Sequence, residues 1–106
     1  MDMMHTLAEL TAAYGPSGME KGVAGVIEKI AASYCDEVTY DVMGNLFCHR
    51  KGSGPRVMFA AHMDSIGLVA THIDDKGFVH VGAIGGVSPL KVLHAPVRFQ
   101  NGAHGV

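Results

Sequence analysis

Arg56 to Gly67 reads Arg-Val-Met-Phe-Ala-Ala-His-Met-Asp-Ser-Ile-Gly. No other stretch constrains the fold as tightly. An unbroken apolar run, entered from Gly54-Pro55, stops at a histidine and an aspartate two residues apart. Such a run predicts a strand over Arg56 to Ala61 buried on both faces, because a half-exposed strand would alternate. A strand of that kind needs covering layers, and hence an α/β arrangement. Open α/β sheets bind ligands beyond the carboxyl ends of their strands, where His62 and Asp64 fall. If the extended path continues, Met63 points the other way and leaves His62 and Asp64 on one side.

The preceding residues supply the layers. Met3, Leu7, Leu10 and Tyr14 recur at helical spacing, with the Met and Tyr side chains expected to face a core, and Gly15-Pro16 ends that helix. Ser17-Gly18-Met19-Glu20 has the form of a capping box, a serine with a glutamate three residues on. It predicts a second helix whose stripe is Val23, Val26, Ile27, Ile30 and Tyr34, ending near Ser33 to Cys35. Gly22 and Gly25 lower its helicity, which points to close packing against a neighbour. Asp36 to Val42 alternates as a half-exposed strand does, Met43-Gly44-Asn45 is turn chemistry, and Leu46 to Arg50 is the next strand. Helices followed by strands and a buried strand predict an α/β sandwich on a mixed sheet.

The texture changes at Ile66. Leu68 to Ile73 and Phe78 to Val81 read as strands around the turn Asp74-Asp75-Lys76-Gly77. Gly82 to Pro89 is a glycine-rich connection, Ala95 to Gln100 a further strand, and Asn101-Gly102 a turn. No helix is expected here. The boundary therefore falls between residues 1–66, part of an α/β domain, and residues 67–106, the opening strands of a small barrel or sandwich. Few short strands bury too little surface to be stable alone, so the chain is expected to be a portion of a longer polypeptide.

Charge excludes several functions. Eight Lys and Arg against ten Asp and Glu give a formal charge of −2, with no basic footprint for nucleic acid or for a membrane surface. No apolar run reaches the roughly 18–20 residues that span a bilayer, and the N-terminus lacks the pattern of a signal peptide. A cytoplasmic protein is expected, with Cys35 and Cys48 as reduced, largely packed thiols.

Seven histidines invite a metal reading. His5 lies near the terminus, His49, His72 and His80 occupy strand positions as solvated or satisfied side chains, and His94 and His104 sit in loops. His62 differs by its rigid position at a strand end and by Asp64. Imidazole is a common zinc ligand, and a ligating histidine usually has its other nitrogen fixed by a carboxylate. The same spacing also suits a buried His–Asp hydrogen bond that merely closes a strand. Ser17 is explained by capping, and Ser65 beside Asp64 makes no triad.

An ordered set of segments resembles one known family. The segments are Gly15 to Glu20, Asp41 to Leu46, Ala60 to Val69, Gly77-Phe78 and Ile84 to Val87. The family is that of the glutamyl, deblocking and tetrahedral aminopeptidases, dinuclear metallopeptidases of clan MH, some labelled endoglucanases. The resemblance implies an α/β-sandwich catalytic domain interrupted by an inserted β-barrel that assembles dimers or dodecamers. It implies removal of N-terminal residues from peptides with two zinc or cobalt ions. On this pattern His62 is a metal ligand and Asp64 the catalytic-site partner that hydrogen-bonds it. Ser65 departs from the family, which usually places glutamate there. Family members run to roughly three times this length, so the remaining ligands and the general base belong to later segments. One histidine does not hold a catalytic zinc, which normally needs three protein ligands, and these residues alone are expected to lack peptidase activity. The alternatives are a non-catalytic assembly module and a related clan MH hydrolase of carboxypeptidase or aminoacylase type.

Overall fold

The computed structural model describes residues 2–106. They divide into two units, residues 2–64 and 65–106.

The first unit opens with helix α1, Met3–Ala12. Asp2 caps it, its carboxylate accepting from the Met4 and His5 amides at 3.0 and 3.4 Å, which satisfies donors that a helix start otherwise leaves unpaired. Helix α2 spans Lys21–Ala31. Between the helices lies an apolar cleft of about 340 Å³ lined by Thr6, Leu10, Ile27, Ile30, Ala31 and Tyr34. The expected inward packing of α1 is only partly realised. Leu10 faces the cleft, but Met3, Met4 and Leu7 are 66%, 75% and 49% exposed. Val23 and Ala24 of α2 are the buried hydrophobic side chains among the described residues. The two methionines stay open to solvent.

The two glycines of α2 have opposite surroundings. A Cβ on Gly22 would stand 2.5 Å from the Tyr14 carbonyl oxygen, whereas one on Gly25 meets nothing within 4 Å. Gly25→Ala is therefore expected to stabilise the unit by about 0.5–1 kcal/mol through helix propensity. Gly22→Ala, which forces backbone apart, is expected to destabilise by about 1–3 kcal/mol. Denaturant titration of the two variants measures both signs.

Strands β1 (Glu37–Tyr40) and β2 (Leu46–His49) form an antiparallel hairpin with Val38 opposite Cys48. Its turn is built by Asp41. One carboxylate oxygen accepts from the Met43 and Asn45 amides, both at 2.9 Å, and the other from the Asn45 side chain at 2.8 Å. Gly44 adopts φ +86°, which favours glycine. The Asn45 side chain, then its amide, holds the Asp41 carboxyl below its usual range. A group depressed on folding stabilises above its unfolded value of about 3.9 and loses that contribution as pH falls through the folded value. Asp41→Asn is expected to flatten this acid limb, read from turn amide exchange between pH 5 and 2, roughly the interval over which a depressed carboxylate titrates. Tyr40 donates to Glu28 at 2.8 Å and so ties β1 to α2.

The second unit carries a longer hairpin of β3 (Gly67–Ile73) and β4 (Val79–Ile84), with a bulge between Ala70 and His72. Asp74 shapes its turn by accepting from the Lys76 and Phe78 amides, both at 2.9 Å. A short helix α3 (Pro89–Val92) follows, then a small pair of β5 (Val97–Arg98) and β6 (His104–Gly105).

Several expectations are corrected. Arg56 to Ala61 is not a strand and is exposed throughout, with Val57, Met58 and Phe59 at 73%, 83% and 95%. The apolar run has the side chains of a buried strand, but among the described residues no strand pairs with it. The sheets are likewise not mixed: among the described residues there are three, each two-stranded and antiparallel. Gly82 to Ile84 extend β4 instead of opening a loop, and α3 interrupts a stretch expected to hold no helix, with Pro89 pre-set for its first turn. His104 lies in β6, not a loop. Cys48 is exposed while Cys35 is half-buried, and both are free thiols.

Candidate metal centre

His62 and Asp64 lie in an irregular segment that ends the first unit. The His62 side chain is 86% exposed. Its Nδ1 stands 3.0 Å from Asp64 Oδ1 and 3.1 Å from the Asp64 carbonyl oxygen. A backbone carbonyl and a carboxylate only accept, so these partners place the ring proton on Nδ1. In the neutral imidazole this leaves the lone pair on Nε2. This is the tautomer a divalent metal requires, oriented as ligating histidines usually are.

Asp64 is itself held. Ser17 Oγ donates a short hydrogen bond to Asp64 Oδ2, so the two carboxylate oxygens serve different partners. The Ser17 bond first, and the His62 contact second, keep the Asp64 carboxyl below its usual range. The result is a relay, Ser17 to Asp64 to His62, ending in one open nitrogen.

The structure thus brings together the two residues singled out from sequence and adds Ser17, which sequence reasoning assigned to a helix cap. Glu20, not Ser17, occupies the cap position of α2, and no side chain caps that helix end. Glu20 instead accepts from the Gly18 amide at 2.6 Å, bracing the turn in which Gly18 takes φ +87°. The local pattern Ser-x-x-Glu fits either role. The signal for the second was the recurrence of Gly15 to Glu20 alongside the His62 segment in one ordered motif set.

The other histidines stand apart from this relay. His5 lies 3.5 Å from Glu9, His49 lies 3.9 Å from Glu37, and His80 lies 3.5 Å from Asp74. Among the described residues no three His, Cys, Asp or Glu side chains are gathered as a metal-ligand set. The chain's own donors fit a metal as one ordered corner: an imidazole with a fixed tautomer and a supporting carboxylate.

The family model for M42 glutamyl aminopeptidases matches residues 44–106. A protein of Acetivibrio thermocellus is 41% identical over 104 residues, which is 98% of this chain and 32% of that protein. Lysyl aminopeptidase of Pyrococcus furiosus is 45% identical over 86 residues, 80% of this chain and 25% of its own length. The chain thus spans between a quarter and a third of these curated relatives. Among solved structures, an aminopeptidase from the archaeon Desulfurococcus kamchatkensis superposes with a TM-score of 0.84 at 38% identity, over 94% of this chain and 29% of that one. A TET aminopeptidase from a marine-sediment thaumarchaeote gives 0.82 at 30% identity, over 97% of this chain and 30% of that one.

Proposed function

Because the chain belongs to the M42 glutamyl aminopeptidase family, we propose that it supplies one corner of the active site of a metal-dependent aminopeptidase acting on peptides. The single observation that carries this reading is the His62–Asp64 pair, with Nδ1 engaged and Nε2 open. His62 holds one of two divalent ions, zinc or cobalt, through Nε2. Asp64 fixes the ring and its tautomer and raises the basicity of the ligating nitrogen. Ser17 keeps Asp64 ionised and aimed. Bound there, the divalent pair supplies Lewis-acid polarisation of the scissile carbonyl and an acidified water.

In this reading residues 67–106 begin the inserted barrel, through which the complete enzyme assembles as a homo-oligomer, a dimer or a dodecamer. In the same reading the complete enzyme works in the cytoplasm. Among the described residues no helix is long and apolar enough to cross a membrane. A second reading, a non-catalytic module that pairs with other chains, is favoured by the exposure of Val57 to Phe59.

A chimera separates them. Residues 1–106 replace the matching segment of the Pyrococcus furiosus lysyl aminopeptidase, and aminoacyl-p-nitroanilide hydrolysis is followed with zinc or cobalt. The expected outcome is turnover by the chimera and none by the 106-residue chain alone. A folded, metal-loaded chimera without turnover would sink the catalytic reading. Turnover by the chain alone, its mass confirmed, would overturn the claim that it holds only a corner of the site.

A further inference from the structure

We propose that the β3–β4 hairpin carries a surface binding site for a borderline divalent cation such as zinc, formed by the imidazoles of His72 and His80 with the Asp74 carboxylate beside them. His72 and His80 are register partners across the hairpin. Their ring centres are 5.5 Å apart, with the planes tilted by 46°. A zinc-bound imidazole nitrogen lies about 2.0–2.1 Å from the ion, so two rings sharing one tetrahedral ion have centres roughly 5 Å apart. The observed separation is near that value, and the 46° tilt is not the parallel arrangement of stacked rings.

The backbone explains why the rings meet. The bulge between Ala70 and His72 re-aims the side chains that follow it, as bulges do. Thr71 locks it by donating from its hydroxyl to the His80 carbonyl at 3.1 Å. Asp74 lies two residues beyond His72. Its Oδ1 is committed to the Lys76 and Phe78 amides, while Oδ2 faces His80 Nε2 at 3.5 Å. That carboxylate is oriented by the turn and has one oxygen left to offer. His80 is 58% and Asp74 31% exposed, so an ion reaches them without unfolding. The three do not form a closed ligand set in advance. The site is a two-imidazole chelate that draws in Asp74 on binding, with water completing the coordination shell.

The test is equilibrium dialysis of zinc against the full chain carrying His62→Gln, which removes the other candidate ligand. One zinc per chain is expected, at micromolar to sub-millimolar affinity. His72→Gln and His80→Gln should each weaken it about tenfold or more. Asp74→Asn, which keeps the turn acceptor, should weaken it less. Peptide mapping after diethylpyrocarbonate treatment gives an independent reading, since zinc should protect His72 and His80 from carbethoxylation. Affinity unchanged by both histidine substitutions, no binding at millimolar zinc, or protection of other histidines alone would each overturn the proposal.

Discussion

His62→Ala in the aminopeptidase chimera is expected to lower kcat/KM by about 10³-fold or more. The figure follows from the several kcal/mol of charge stabilisation that a bound ion contributes, at tenfold per 1.36 kcal/mol. The loss should be accompanied by loss of about one metal ion per chain, measured by elemental analysis. Asp64→Asn should do something different. It leaves the ligand in place but offers an amide where the carboxylate oriented Nδ1, so metal affinity should fall by about 10- to 100-fold, with activity recovering at high metal concentration. If His62→Ala retained both metal and activity, His62 would be no ligand. If Asp64→Asn could not be rescued by metal, the aspartate would do more than position the ring.

The isolated chain is expected to associate at micromolar concentration and to melt without a sharp transition. Val23 and Ala24 are the only hydrophobic side chains buried among the described residues, while Val57, Met58 and Phe59 stand open in a row. An extended apolar segment with unpaired backbone groups is a template for other chains, and so small a core offers little to make unfolding cooperative. Met58→Lys with Phe59→Lys should shift sedimentation strongly toward monomer and reduce binding of a hydrophobic dye. A sharp monomer peak with a cooperative melt for the unsubstituted chain would contradict this.

The sequence was legible wherever structure is decided locally. Asp41 and Gly44, or Asp74 and Gly77, fix their turns with their own side chains and dihedral angles, so hairpins β1–β2 and β3–β4 were predicted within a few residues. The helical periods of α1 and α2 were equally local. Legibility failed where the outcome depends on partners. Val57 to Ala61 carries the pattern of a central strand, yet a strand exists only when another pairs with it. Met3 and Met4 have core-type side chains and no core to enter. In the candidate site, the contact between His62 and Asp64 was legible because they lie two residues apart. Ser17 was not, because the contact that defines its role bridges 47 positions.

That span has a consequence for how the site matures. Ser17 and Asp64 meet only after the intervening loop has closed, an entropic cost met by the rest of the unit. Until then Asp64 is free to turn away, and the His62 ring is free to exchange its proton between nitrogens. The tautomer of one imidazole therefore works as a gauge of long-range closure. Nitrogen chemical shifts of His62 would distinguish molecules that have completed the loop from those that have only collapsed. The metal capture proposed for His62, which needs the bare Nε2, would then discriminate between the two populations.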